Sequence, residues 1–354
     1  MKILALDLGK YSTVFCDYHS DSGEHTLGEV KTTPQAIHDL IVGKEPERVV
    51  MEVCAIAGWV VDIARVLGVE TETANTTHDA WRWKNVRKKN DREDALKLAK
   101  LSAMNQLPKV HIPSREVREQ RCLIQYRQRL VRQKVSVQNA IRAILSREGT
   151  TTVPKGKSVW SKEGLRWLRT QAKPLGKIVE MTQLWRGQLH VELRMLAAIT
   201  RSLAYVEKKL DRLGACDRRI RRLQTIPGVG PRLAEAVVAF LDEPKRFKNS
   251  KHVGSYAGLT PKQYQSGQTE RQGRISGEGN KLLRSLLVEV CWASLRYNSW
   301  ARATYQRLLR GGRSRKKIAI TALARKLVVT CWAMLRDEQD WKGPTRGSIQ
   351  GTAA

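Results

Sequence analysis

The chain has 354 residues, 41% of them hydrophobic, which is enough for two or three domains with real cores. Lys and Arg total 64 against 34 Asp and Glu, a net charge of +30, and such an excess points to a polyanionic partner. No run of about 18 apolar residues is present, so no membrane span is expected, and strand-like sequence begins at Lys2, so no leader is expected either.

The charge is unevenly spread. Residues 1–80 hold 6 basic and 13 acidic residues; the remainder holds 58 and 21. The first part is suited to holding metal, the rest to holding phosphate backbone. The six cysteines, Cys16, Cys54, Cys122, Cys216, Cys291 and Cys331, form no CxxC pair. They support neither a zinc knuckle nor a redox motif, and they read as reduced thiols in the cytoplasm.

In chain order, strand patterns fall at 2–8, 12–19, 25–32, 48–54 and 69–74, and helical patterns at 34–43, 58–67 and 91–104. A meander of three strands followed by crossover helices and further strands predicts a ribonuclease-H-like α/β fold. A doubly wound nucleotide-binding domain would carry a Gly-rich loop after its first strand, whereas Gly9 stands alone.

A long charged helix is predicted over 114–148. Leu123, Leu130, Val137 and Ile144 recur every seven residues, with Tyr126 and Ile141 filling in. Residues 149–182 form the least regular stretch, opening on a basic loop at Thr150–Lys157. The cleanest heptad lies in 183–214: Leu189, Leu196, Leu203 and Leu210, with Ile199, Val206 and Leu213 three later. The two long helices suggest an antiparallel hairpin or an intermolecular coiled coil; an ordinary helix pair in one core fits equally. A basic, mainly helical domain is expected from about 220 to 340, with helices from Lys281 and over about Arg315–Leu335. The tail from Lys342 reads as frayed.

Four acids carry the first chemistry. Asp7 lies in the apolar strand Ile3–Gly9, and Glu52 ends the apolar run Arg48–Val53. Asp91 and Asp94 are three apart and share a helix face, while Glu93 points elsewhere. Such carboxylates suit one or two Mg²⁺ ions, which prefer oxygen ligands and serve phosphoryl transfer. Singly, Asp7 reads as a strand-end acid and the Asp91/Asp94 pair as a solvated helix start. Jointly, in so basic a chain, they read as a metal site acting on nucleic acid.

Phosphate contacts are expected in several places. Ile226-Pro227-Gly228-Val229-Gly230-Pro231 resembles a helix–hairpin–helix turn, in which Gly228 and Gly230 would let backbone N–H groups approach a phosphate. A plain inter-helix turn is the alternative. Arg82, Lys84, Arg87, Lys88 and Lys89 precede the Asp pair, and Arg313, Arg315, Lys316 and Lys317 precede the last helix. Tryptophans 81, 83, 160, 167 and 185 lie near charge and could stack on bases, although core packing is the plainer reading for most of them. Ser266 lies in a loop, Gln265-Ser266-Gly267-Gln268, flanked by Lys262, Arg271 and Arg274. On spacing alone it is a loop residue.

These blocks together resemble the DEDD transposases of the insertion sequence 110 family, in its sister-subgroup form, over nearly the whole chain. Leu6-Asp7-Leu8-Gly9, Met51-Glu52 and Asp91-Arg92-Glu93-Asp94-Ala95 stand where that family carries its acidic tetrad. Ile226–Gly230, Ala257-Gly258-Leu259-Thr260-Pro261, Gln265-Ser266-Gly267, Gly273-Arg274-Ile275-Ser276 and Gly279–Arg284 stand where its transposase domain is expected. Ser276-Gly277-Glu278 departs from a more basic stretch often seen there.

The resemblance implies a RuvC-like DEDD domain over 1–113, a coiled-coil and linker region over 114–215 with a basic loop at 149–182, a transposase domain over 216–341 and a flexible tail over 342–354. It implies Mg²⁺ on Asp7, Glu52, Asp91 and Asp94, and Ser266 as the nucleophile that forms a phosphoserine intermediate with DNA. It also implies a structured noncoding guide RNA that pairs with donor and target DNA, and a homo-oligomer, a dimer or a tetramer in synapsis, working in the bacterial cytoplasm with no membrane partner. A metal-only nuclease resembling a junction resolvase, and a non-catalytic nucleic-acid scaffold, remain the alternatives.

Overall fold

The computed structural model describes residues 1–75, 90–150, 158–266, 269–310 and 312–343. The chain divides into two compact units, Met1–Glu119 and Gln120–Ala354. The basic segment with Arg82, Lys84, Arg87, Lys88 and Lys89, and the tail beyond 343, lie outside the described residues.

The first unit is built on a five-stranded mixed sheet in the order β3-β2-β1-β4-β5. Its strands are β1 (Lys2–Leu8), β2 (Ser12–His19), β3 (His25–Lys31), β4 (Arg48–Glu52) and β5 (Glu70–Ala74). The first three form an antiparallel meander; β4 and β5 run parallel to β1. Helices α1 (Pro34–Lys44) and α2 (Ala57–Val66) provide the crossovers, and α3 (Asp91–Ala103) follows β5. Thr33 caps α1 through the Ala36 N–H, with Pro34 at the first helical position, so the chain turns sharply out of β3.

Side chains alternate across this sheet, as strand geometry demands. Ile3, Ala5 and Val50 pack with Ala95, Leu98 and Ala99 of α3 on one face. Leu4, Leu6, Val49 and Met51 pack with α1 and α2 on the other. Both faces are covered, which is why β1 and β4 read as continuous apolar runs.

Helix α4 (Arg115–Arg147) begins in this unit. Arg118 forks onto Asp62 of α2 and also donates to the Pro113 carbonyl, and its stem lies against Gly58. A side chain at Gly58 would collide with that guanidinium.

In the second unit α4 lies antiparallel to α6 (Leu184–Cys216). Near the far end of the pair, Val137, Ile141 and Ile144 cluster with Leu189 and Leu196; nearer the core, Ile124 and Leu130 cluster with Leu203, Val206 and Leu210. Arg147 donates to Gln188, and Arg127 pairs with Glu207 at 2.7 Å, so the register holds along the pair. The hairpin is therefore closed within the chain. Two expected seam residues lie outside it. Tyr126 is exposed beneath the Arg129 guanidinium, and Leu213 is 39% exposed. A straight helix drifts from a seven-residue repeat, so the buried stripe shifts from Leu123 to Ile124 and keeps Leu210 while Leu213 falls outside it.

The stretch expected to be irregular contains α5 (Lys162–Gln171), capped by Ser161 through the Gly164 N–H. Trp160, Trp167 and Trp185 pack against the Leu168 and Leu189 cluster, the plainer of the readings considered for them.

The remaining elements are α7 (Arg218–Gln224), α8 (Pro231–Leu241), α9 (Ser250–Tyr256), the strands β6 (Pro261–Ser266) and β7 (Thr269–Ile275), α10 (Lys281–Tyr297), α11 (Ser299–Leu309) and α12 (Lys316–Arg336). One core holds α7 to α12 together with the near ends of α4 and α6. Helix α12 is long and apolar enough to cross a membrane by composition alone. Its Leu323, Ala324, Leu327, Val328 and Cys331 are instead buried in this core.

Candidate active site

Alternation carries Asp7 and Glu52 onto the α3 face of the sheet. Asp7 stands one residue beyond the Leu6–Met51 pairing of two parallel strands, and Glu52 is the last residue of its strand. Both are half-buried at the carboxyl ends of adjacent strands, where α/β sheets commonly place ligand sites. Asn90 caps α3, and Asp91 and Asp94 lie in its first turn, favourably placed at the positive end of the helix dipole. They continue the stripe of Ala95 and Leu98 that packs on the sheet, so α3 begins over the same face that carries Asp7 and Glu52. Asp94 is half-buried; Asp91 and Glu93 are exposed.

Lys97 follows Asp94 by one helical turn. Burial pushes its ammonium pKa down, while the charges of Asp94 and Glu52 act to raise it. The residue was not singled out from the sequence, although Asp94-x-x-Lys97 is a pairing spacing on a helix. Its cation sits in the field of a strand acid and a helix acid, the charge role that a divalent ion would take over. The donors fit Mg²⁺ in kind, being carboxylate oxygens only. Among the described residues, no three acidic, histidine or cysteine side chains yet close on one ion-sized point.

Ser266 belongs to the second unit. The sequence places it in a loop; the structure places it at the end of β6, its backbone paired with Thr269. Tyr264 pairs with Arg271 in the same ladder. The strands escaped notice because Lys262–Ser266 and Thr269–Gly273 lack apolar alternation, and a two-stranded ribbon with both faces polar leaves no hydrophobic period to read. Lys262, Arg271 and Arg274 are exposed on this ribbon.

The base of the ribbon is held by Arg284, also missed in the sequence. Its guanidinium donates to the carbonyls of Ala257, Gly258, Gly277 and Glu278. It thereby clamps Ala257–Pro261 to the Ser276–Gly279 turn, and the Ser276 N–H bonds the Thr260 carbonyl at 2.9 Å. Gly258 has φ +66°, and a Cβ there would meet the Glu278 carbonyl oxygen at 1.8 Å. Gly258→Ala is expected to cost at least about 2 kcal/mol, from left-handed strain and loss of the clamp, read as a lowered denaturant midpoint.

The turn between α7 and α8 divides the roles of its two glycines. Gly228 has φ +93° and lies against Ser294 of α10, so close packing accounts for it. Gly230 caps α8 with nothing near its missing Cβ, and Pro231 follows it at the first helical position. Arg315, Lys316 and Lys317 are exposed where α12 begins. Arg313 stands in the 3₁₀ turn just before it.

Residues 4–148 match a DEDD-type transposase family model. Residues 220–306 match the model of the transposase IS116/IS110/IS902 family. The chain belongs with the IS110-family DEDD transposases. The two matches span well over half of it and enclose both the acid cluster and the serine ribbon. A probable family 20 transposase of Pseudomonas aeruginosa is 27% identical over 95% of this chain and 97% of its own length. The transposase for insertion sequence element IS1111A of Coxiella burnetii is 28% identical over 83% and 79%. A pilin gene-inverting protein of Moraxella lacunata is 33% identical over 34% of this chain and 38% of that protein.

Proposed function

We propose that this IS110-family transposase is an RNA-guided DNA recombinase that mobilises its own element. The observation that supports the reading is that Asp7 and Glu52 end adjacent strands on the sheet face covered by α3, whose first turn holds Asp91 and Asp94, in a sheet whose strand order is compatible with a RuvC-like, ribonuclease-H-like domain. Those four residues would hold Mg²⁺, which when bound supplies Lewis-acid stabilisation of charge on a phosphate.

Ser266 is the nucleophile. Its hydroxyl oxygen bonds to phosphorus, one P–O ester bond of the DNA strand breaks, and the serine proton leaves while the departing sugar oxygen takes one up. The phosphoserine conserves the ester bond, so a second strand end can attack it and rejoin with no high-energy co-reactant. Lys262, Arg271 and Arg274 would neutralise the phosphate backbone beside it. A homo-oligomer, acting in the cytoplasm at the nucleoid, would supply the serine and the acids to one scissile phosphate. The net +30 charge supports DNA and a structured guide RNA as the partners.

The test uses the full chain, its element's noncoding RNA and a suicide DNA substrate. A covalent protein–DNA adduct and rejoined product that both require the RNA are expected. Recombination with no added RNA would sink RNA guidance and leave a protein-read recombinase.

A further inference from the structure

A cavity opens between α9, α11 and α12, and none of its lining residues belongs to the acids, the serine ribbon or the glycine turn. Three of its lining residues are cations: Arg307 on α11, and Arg325 and Lys326 on α12. Among the described residues no carboxylate lines it. Ser250, Thr304 and Thr330 line the same space, and Ala322, Val329 and Trp300 complete the wall.

The neighbouring cavities differ in the state of their charge. Around α7 the arginines already have partners: Arg219 forks onto Asp217 at 2.8 Å, and Arg222 meets Asp340 at 3.5 Å. Asp242, Glu243 and Glu338 line the cavity that holds these arginines. Among the described residues, none of Arg307, Arg325 and Lys326 is in an ion pair. Arg325 is half-buried and its stem crosses Gly254 of α9, where an added Cβ would meet Nε at 3.0 Å. That packing limits where its guanidinium can point. Trp300 is held edge-to-face against Trp341, with ring centroids 5.4 Å apart, so the wall beside the cations is fixed.

Three cations that have no ion pair among the described residues, lining one cavity with three hydroxyl-bearing side chains, make a receptor for an anion with several acceptor oxygens. We infer that this cavity binds a backbone phosphate of a polynucleotide, at a contact separate from the catalytic residues. It shares with the proposed function only the polynucleotide partner.

The test measures binding of the full chain against salt concentration, with a 30-base-pair duplex in one arm and single-stranded RNA in the other. The variants are the triple Arg307→Gln/Arg325→Gln/Lys326→Gln and the charge-neutral Ala322→Phe, which fills the cavity; Thr330→Tyr replaces the latter if its melting curve is altered. For the triple variant, the log–log salt slope is expected to fall by about 0.9 per lost phosphate contact on duplex, or about 0.7 on single strand. The filling variant is expected to bind roughly tenfold more weakly with its charge unchanged. A change confined to one arm names DNA or RNA as the occupant. An unchanged slope in both arms, or wild-type affinity in the filled variant, overturns the site. If the wild-type chain binds neither polynucleotide, the recombinase reading falls with it.

Discussion

Ser266→Ala is expected to lower DNA strand exchange by about a thousandfold or more and to remove the covalent protein–DNA adduct altogether. The loss should be nearly complete because no other group replaces the oxygen that bonds phosphorus, and water attack yields no adduct. The fold should be spared. Ser266 ends β6, where its backbone pairing with Thr269 is independent of the side chain, and the clamp at the ribbon's base belongs to Arg284. Adduct formation on suicide DNA, resolved by denaturing electrophoresis, is the measurement. An adduct that persists in Ser266→Ala moves the nucleophile elsewhere. If Ser266→Ala still cuts DNA while Asp7→Ala does not, the metal-only nuclease reading replaces the recombinase.

Glu52→Gln is expected to be comparably severe, and to act through metal rather than through fold. The substitution keeps the shape of a strand-end side chain and removes one of the four carboxylates proposed to hold Mg²⁺. Wild-type protein should gain thermal stability on titration with Mg²⁺, because a ligand that binds only the folded state stabilises it by mass action. Glu52→Gln should lose most of that gain, keep its melting temperature in the absence of Mg²⁺, and cleave DNA about a thousandfold more slowly or worse. Equal stabilisation of both proteins by Mg²⁺ would place the metal elsewhere. Lys97 sets the sign of a companion effect. Its charge now offsets that of Asp94 and Glu52, so Mg²⁺ must displace its influence, and Lys97→Met should tighten Mg²⁺ binding measured by the same shift.

Much of the first unit was legible in the sequence. Continuous apolar runs at Ile3–Leu6 and Val49–Met51 read as strands covered on both faces, and the acids at their ends stood out against them. The antiparallel α4–α6 hairpin was one of the arrangements open from the heptads. What selects it is the pairing of Ile144 with Leu189 at one end and Arg127 with Glu207 nearer the core. The polar ribbon that carries Ser266 had no hydrophobic period to betray it. Arg284 and Lys97 were invisible as individuals, because an arginine that binds four carbonyls has the same letter as one that faces solvent.

The sequence by itself determined the alternation of strand and helix and the basic character of all but the first 80 residues, and it singled out four candidate carboxylates. These properties are local: they follow from periodicity and composition within a few turns of chain. Tertiary structure alone decided that Asp7 and Glu52 share the face that α3 covers, that Arg284 clamps the base of the serine ribbon, and that Arg307, Arg325 and Lys326 meet around one cavity. Those outcomes depend on which side chains far apart in the chain are brought within bonding distance, and no local period encodes that.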